Sequence, residues 1–182
     1  MDFLSQTYVA LRGPAGAPQT PSETIARLAD RLSPATLLAD RRASILSLKG
    51  ISRLNKQEVG EIALSGLLDV LDNDAQVDPE TGKAVLETLS LLCQTENVSA
   101  TDRELGFKHT DVILASEKPA HTLFALLADL NFYTRYATLQ FLTTLLLNRR
   151  QPVQAHFLTA PAGARSVIAI LEDKREIIRN GM

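Results

Sequence analysis

A pair of predicted helices between His121 and Arg150 places the strongest limit on how this chain folds, because the second helix has two apolar faces. The two helices are separated at Asn131. The first helix carries Leu123, Phe124, Leu126, Leu127 and Leu130. The second has one apolar stripe of Phe132, Tyr136, Leu139, Leu142 and Leu146, and another of Phe141 and Leu145. A helix with two apolar faces must be covered from two directions. The pattern therefore predicts helices packed on both sides, as in a stacked helical repeat.

The composition predicts a folded chain and gives no indication of a nucleic-acid or membrane-spanning protein. Of 182 residues, 45% are hydrophobic, which is enough to build a core. The net charge is -2 and no polybasic block occurs, so neither nucleic acid nor an anionic membrane surface is an expected partner. The single cysteine, Cys93, lies in a helical apolar pattern and is expected to be a buried thiol in a reducing compartment. No signal peptide or transmembrane run is recognised, so we expect a cytoplasmic protein.

Two regions are predicted. Residues 1–20 form a short N-terminal segment and a flexible linker, GPAGAPQTP, and residues 21–182 form helical repeats with the last repeat incomplete. The second region starts with a strong helix signal. Thr20 is placed to be the N-cap, Pro21 the first helical residue and Glu23 the reciprocal partner of a capping box.

Further helices are expected along the chain, at 21–32, 34–39, 40–55, 57–72, 79–94, 152–158, 163–172 and from Lys174 onward. Gly60 and Gly66 weaken the helix at 57–72, so a kink or two shorter helices is the alternative there. The polar stretch 95–118 is predicted to be a long surface loop with a short helix at 109–116.

Two helix junctions repeat one pattern. ALLADLNFYTRY (125–136) aligns without a gap with AILEDKREIIRN (169–180), at an offset of about 44 residues that is typical of armadillo and HEAT repeats. The junctions at 37–48 and 70–89 keep the order of elements but have shorter and longer corners. We therefore predict an all-α, armadillo/HEAT-like α-solenoid of about three to four repeats, as a fragment of a longer array. An irregular α-bundle is the alternative.

No group of residues in the sequence predicts catalysis or cofactor binding. His109, His121 and His156 lie in separate segments without carboxylates or cysteines at metal-ligand spacing. Phosphate-binding glycine motifs and the hydrolase nucleophile motif do not occur. We therefore predict no catalytic residues, no metal site, no cofactor and no enzyme activity.

Arginines near the starts of the last helices of repeats are the most informative polar residues. Arg42, Arg135 and Arg179 have two interpretations. Each pairs with an aspartate or a free carbonyl at the end of the preceding helix, or together they form a row of cations that binds an acidic partner. Tyr133 faces away from the core stripe, as a surface anchor or as a partly covered aromatic. These four residues are the candidate partner-binding residues.

The sequence also resembles a known family. ETIARLADRLSPATLLADRRASILSLKGIS (23–52), FYTRYATLQFLTTLL (132–146) and DKREIIRN (173–180) occur in the same order as in the amino-terminal head of the general vesicular transport factor family. The chain resembles a truncated fungal member, and the resemblance covers essentially its whole length. No residue role in that family is assigned to a position here.

The resemblance implies a non-catalytic protein-binding scaffold with an armadillo-like head. It would belong to a tether for ER-to-Golgi and intra-Golgi transport, acting in vesicle docking before SNARE-mediated membrane fusion. The implied partners are a Rab-type GTPase, golgins and the SNARE machinery. The implied location is peripheral, on Golgi and ER–Golgi transport membranes. The intact protein would be a homodimer through a coiled coil that is absent from this sequence. The alternative is an unrelated armadillo/HEAT adaptor or assembly scaffold in the cytosol.

Overall fold

The computed structural model describes residues 20–180, and all regular structure in that range is helical. Ten α-helices follow one another within the described residues. Their bounds are α1 Pro21–Asp30, α2 Leu38–Ile51, α3 Lys56–Asp74, α4 Pro79–Cys93, α5 Ala100–Leu114, α6 Glu117–Leu126, α7 Phe132–Asn148, α8 Arg150–Thr159, α9 Gly163–Leu171 and α10 Glu176–Arg179. The predicted segment and linker at 1–20 lie outside the described residues, apart from Thr20.

The helices stack in two rows. Helices α2, α4, α7 and α10 contact one another in sequence, and α1, α3, α6 and α9 form the second row. The pairs α1–α2 and α3–α4, and the triplets α5–α6–α7 and α8–α9–α10, are therefore successive repeats. We call α2, α4, α7 and α10 the third helices, after their place in a three-helix armadillo repeat. The predicted all-α armadillo-like solenoid is confirmed.

One continuous core runs through the stack, from Ile25 in α1 to Ile178 in α10. Helix α7 is covered on several sides, because α4, α6 and α8 all contact it. Phe141 and Leu145 are fully buried. The two-faced apolar pattern of this helix is therefore explained by neighbours on both sides. Leu146 and Leu130 differ from the predicted pattern, since their exposed fractions are 40% and 97%.

Helix starts follow the local signals closely. Thr20 and Glu23 form the predicted capping box, with hydrogen bonds of 3.2 and 3.0 Å between each side chain and the other residue's backbone N–H. Asp78 accepts from the backbone N–H of Thr81, and Asn131 accepts from those of Tyr133 and Thr134. These bonds span two or three residues, so the sequence alone is enough to specify them.

The helix predicted at 34–39 is wrong, because residues 31–37 form successive turns before α2 begins at Leu38. The carbonyls of Pro34 and Thr36 accept hydrogen bonds from the Arg41 side chain instead of from helical backbone donors. Helix α2 ends at Ile51, so Leu54 follows the helix and is 90% exposed. Helix α3 is uninterrupted through both of its glycines.

The loop predicted at 95–118 is also wrong, since α5 occupies Ala100–Leu114. Its buried face includes the small or polar residues Gly106, His109 and Thr110, so the apolar periodicity of a helix is weak there. Gly106 is needed for close packing, because a Cβ at this position would lie 2.6 Å from the Gln94 carbonyl oxygen. The N-cap Ser99, which accepts from the backbone N–H of Asp102, is the start signal that the prediction did not use.

The last carbonyls of α4 are closed by side chains from three other helices. His109 Nδ1 donates to the Leu92 carbonyl at 2.9 Å, and Asn148 Nδ2 donates to the Cys93 carbonyl at 2.8 Å. Lys56 Nζ donates to the Gln94 carbonyl at 2.7 Å. Burial lowers the pKa of Lys56 and raises the pKa of the fully buried Cys93 thiol to about 12. These bonds satisfy backbone groups that every helix end leaves open, and they join α3, α5 and α7 to α4.

His109 should make stability dependent on pH below about 6.5. Burial lowers its pKa, against the opposing effect of the hydrogen bond to the Leu92 carbonyl. As the pH falls below the normal histidine value, the unfolded chain binds a proton that the folded chain does not, so folded stability decreases. We expect a loss of up to about 1.4 kcal/mol per pH unit from this residue, down to its folded pKa. Urea unfolding between pH 7.5 and 5 should therefore show a steeper pH dependence for the wild type than for His109→Gln, and equal slopes would contradict the assignment.

Candidate protein-binding edge

The starts of the third helices lie along one side of the stack. We define the corner edge as residues 31–37, 74–78, 127–131 and 172–175, with up to five residues at the start of the helix after each. Every candidate residue from the sequence lies on this edge. The geometry of the edge therefore shows which candidate side chains are bonded within the stack and which are exposed to a partner.

Arg41 joins the first corner to the second. Its Nε and Nη2 atoms lie 2.9 and 3.0 Å from the two carboxylate oxygens of Asp74. Its Nη1 donates to the carbonyls of Thr36 at 2.5 Å and Pro34 at 3.1 Å. Only 9% of Arg41 is exposed. Such a two-pronged, charge-assisted contact fixes the angle between neighbouring repeats.

Arg135 makes the same kind of connection between the third and fourth corners. Its Nη1 donates to the Asp129 carbonyl and its Nη2 to Asp173 Oδ2, both at 2.5 Å. The side chains of Arg135 and Asp173 are 13% and 11% exposed. A hydrogen bond from the backbone N–H of Arg175 and the charge of Arg135 hold the pKa of Asp173 below its usual value. Arg135 is thus engaged with its own corner and with the next.

Arg42 and Arg179 make fewer contacts within the stack than Arg41 and Arg135 do. Arg179 Nη1 donates to the Asp173 carbonyl at 2.7 Å, while the residue as a whole is exposed. Arg42 Nη1 lies 3.4 Å from Asp78 Oδ2, with 37% of its side chain exposed. A solvent-facing ion pair of this length contributes little to stability, and its guanidinium can still turn to a partner.

Glycine interrupts the row of connecting arginines in the second repeat. Arg41, Arg135 and Arg179 each stand four residues after the N-cap of their helix, and Gly82 has this position in α4. A Cβ at Gly82 would lie 2.8 Å from the Ala75 carbonyl oxygen. No arginine therefore fits at this position of α4 without displacing the preceding corner.

Aromatic and cationic side chains link the second, third and fourth corners in place of such an arginine. Lys83 Nζ lies 5.3 Å from the centre of the Tyr133 ring, and the Arg175 guanidinium lies 4.7 Å from the centre of the Phe132 ring. The rings of Phe132 and Tyr133 meet edge to face at 5.2 Å. Tyr133 remains 59% exposed, so its outer side is open for contact.

Three corners also present an exposed aliphatic side chain just before or at the helix N-cap. These are Leu37, Val77 and Leu130, with exposed fractions of 74%, 79% and 97%. Leu130 is close in sequence to Tyr133, so the third corner combines an aliphatic and an aromatic residue with nearby charges. This combination is typical of the anchors in protein–protein interfaces.

The structure brings three of the four candidate residues together. Arg135 and Arg179 both contact Asp173, and Tyr133 lies in the first turn of the same helix as Arg135. Arg42 lies in the first repeat, with α4 between it and this group. Their role in partner binding stays a prediction. Arg41 was not among the predicted residues, because its helix starts after Leu37 without a side-chain cap that would mark its position in the sequence.

The described part of the chain offers no arrangement that indicates chemistry. Among residues 20–180, no three His, Cys, Asp or Glu side chains are grouped as a metal site would require. His109 and His156 bind backbone carbonyls, at Leu92 and Leu114, and His121 pairs with the Thr159 hydroxyl. None of the described helices has the length and apolar character needed to cross a membrane.

The fold and this edge define the class of the protein as an armadillo-like helical-repeat protein. No protein-family model matches the chain. It is 33% identical over 173 residues to the general vesicular transport factor p115 of Bos taurus, which covers 91% of this chain and 18% of that protein. It is 29% identical to the intracellular protein transport protein uso1 of Schizosaccharomyces pombe, over 99% of this chain and 17% of that protein. A crystal structure of Uso1 superposes with a TM-score of 0.80 at 25% identity, covering 93% of this chain and 29% of that one.

These similarities extend over nearly the whole chain, and they agree in sequence and in fold. The chain belongs to the general vesicular transport factor family. It spans less than a fifth of the length of the curated relatives that it matches.

Proposed function

We propose that this chain is a non-catalytic, protein-binding part of a vesicle tether for ER-to-Golgi and intra-Golgi transport. In this role it acts in vesicle docking before SNARE-mediated fusion, on the cytoplasmic side of Golgi and ER–Golgi transport membranes. The observation that carries the proposal is the similarity to vesicular transport factors over 91% of the chain, on a matching fold. A helical stack of this kind contributes surface to an assembly.

The corner edge supplies the contact surface in this proposal, and a Rab-type GTPase is its partner. The open groups are Tyr133, Leu130, Arg42 and Arg179. Arg135 takes a supporting role, because both of its terminal nitrogens are already bonded within the stack. This chain spans less than a fifth of the length of its relatives. In the proposal, the contacts with golgins and the SNARE machinery, and the coiled-coil dimer, therefore belong to the longer protein.

Binding to purified Rab-type GTPases, loaded with a GTP analogue or with GDP, tests the proposal. We expect the chain to retain at least one of these GTPases, and only when the GTPase is loaded with the GTP analogue. Tyr133→Ala should weaken that binding by about tenfold or more, as loss of a central aromatic anchor does. Arg165→Glu, an exposed charge change on α9 away from the edge, is the matched control and should bind like the wild type.

Thermal unfolding of each variant separates lost contact from lost folding. The melting temperature of Tyr133→Ala should stay close to that of the wild type, because the ring is mostly exposed. Retention that does not depend on the bound nucleotide, across the GTPases tested, would contradict the GTPase proposal.

A further inference from the structure

Ser33 carries an exposed hydroxyl in the first corner, outside any helix. Residues 31–37 form successive turns between α1 and α2, and Ser33, Pro34 and Ala35 are all exposed. The Ser33 oxygen accepts one hydrogen bond, from the backbone N–H of Ala35 at 3.3 Å, and its O–H has no acceptor among the described residues. The hydroxyl is therefore open to an enzyme that approaches from solvent.

The proline after Ser33 distinguishes this hydroxyl from nearly all others in the chain. Among the serines and threonines of the sequence, only Thr20 and Ser33 stand directly before a proline. A residue that precedes proline is restricted mainly to extended backbone. Proline-directed protein kinases recognise an acceptor hydroxyl by the following proline, and they bind the acceptor in extended form. The Thr20 hydroxyl already caps α1, by accepting from the backbone N–H of Glu23 at 3.2 Å.

The guanidinium group of Arg41 lies next to Ser33. Its Nη1 atom donates to the carbonyls of Ser33, Pro34 and Thr36, at 3.5, 3.1 and 2.5 Å. The contact with Ser33 is the longest of the three and therefore the weakest. A phosphate on the Ser33 side chain would place three acceptor oxygens and nearly two negative charges on the same residue. Arginine forms short, charge-assisted hydrogen bonds with such a group.

We infer that Ser33 is a phosphorylation site for a proline-directed protein kinase, and that its phosphate binds Arg41. The kinase transfers the γ-phosphoryl group of ATP to the Ser33 oxygen, whose proton passes to a base of the kinase, and ADP leaves. Nε and Nη2 of Arg41 stay bonded to Asp74, while Nη1 exchanges a neutral carbonyl for the phosphate. The modification thus strengthens the connection between the first and second corners. This goes beyond the proposed GTPase contact, because it concerns a different residue and a different reaction.

Incubation of the folded full chain with ATP and purified mitogen-activated or cyclin-dependent protein kinases tests the modification. We expect a single phosphate on Ser33, located by mass spectrometry. Ser33→Ala and Pro34→Ala should each lower the rate of incorporation by about tenfold or more. Thr20→Ala, which removes the other hydroxyl before a proline, is the matched control and should be phosphorylated like the wild type. Absence of incorporation with all these kinases, or equal incorporation into Ser33→Ala, would overturn the inference.

Thermal unfolding tests the bond between the phosphate and Arg41. Phosphorylation should raise the melting temperature of the wild type by about 2–4 °C, as one net hydrogen bond does in a chain of this size. Arg41→Lys keeps the charge but lacks the planar fork of donors, so it should lose most of this shift. The matched variant Arg42→Lys should keep it.

A melting temperature that falls on phosphorylation, or the same shift in Arg41→Lys as in the wild type, would overturn the pairing with Arg41. Neither measurement uses a GTPase. A failure of the proposed GTPase binding would therefore leave this inference standing, and the two results can be told apart.

Discussion

Replacing Arg41 by alanine should lower the free energy of unfolding by about 3 kcal/mol, whereas replacing its neighbour Arg42 should lower it by less than about 1 kcal/mol. Arg41 is 9% exposed and binds both oxygens of Asp74 and two carbonyls of its own corner. Alanine would leave the carboxylate and the carbonyls without their donors in a place that water reaches poorly. Arg42 makes a single long contact at a partly exposed site.

Urea denaturation of the two variants measures this difference. Arg41→Lys keeps the charge but cannot make the two-pronged contact, so it should lose an intermediate amount. In a double-mutant cycle, Arg41→Ala and Asp74→Ala should show a clear coupling energy, because the two side chains share two hydrogen bonds. Equal losses for Arg41→Ala and Arg42→Ala would mean that the arginine connection does not stabilise the stack.

Replacing Gly60 by alanine should destabilise the protein by about 1–3 kcal/mol, although alanine normally favours a helix over glycine. Gly60 lies inside α3, where an added Cβ would overlap the His109 ring and approach its Nε2 most closely. The ring cannot move away freely, because its Nδ1 holds the Leu92 carbonyl at 2.9 Å. Either α3 and α5 must separate, or that hydrogen bond must break.

Gly50→Ala is the matched control for this substitution. Gly50 is also helical, in α2, and a Cβ there would meet nothing within 4 Å. The change should therefore raise stability by about 0.5–1 kcal/mol through helix propensity alone. Combining Gly60→Ala with His109→Ala should lose less than the sum of the single changes, since the smaller side chain makes room. A stabilising effect of Gly60→Ala would rule out the close contact between α3 and α5.

At the corner edge, the sequence predicted some of the arginines that bind their own corner, but not all of them. The repeated aliphatic–Asp–Arg junctions were enough to select Arg135 and Arg179, and both bind the carbonyl of their corner's aspartate. At the first corner the sequence has two adjacent arginines, and Arg42, the predicted one, is the more exposed of the two. Which of two neighbours points inward depends on the position of Asp74, which is 33 residues away. Local sequence carries no information about that distance.

Helix α1 was predicted from the sequence and α5 was not, and the reason is again the range of the contacts involved. The start of helix α1 is predicted by Thr20, Pro21 and Glu23, which all lie within one turn of each other. Helix α5 packs a glycine, a histidine and a threonine inward, which is possible only because α4 and α7 supply their partners. A polar residue is stable in the core when a hydrogen bond satisfies it, and that partner comes from elsewhere in the chain.

The sequence by itself determined the helical class, the repeat and most of the helix starts, because capping bonds and apolar stripes depend on residues within a few positions of each other. Only the tertiary structure decided which arginine joins the repeats and where α5 lies. Those features depend on pairs such as Arg135 and Asp173 or Asn148 and Cys93, separated by 38 and 55 residues, which meet only after the helices have stacked.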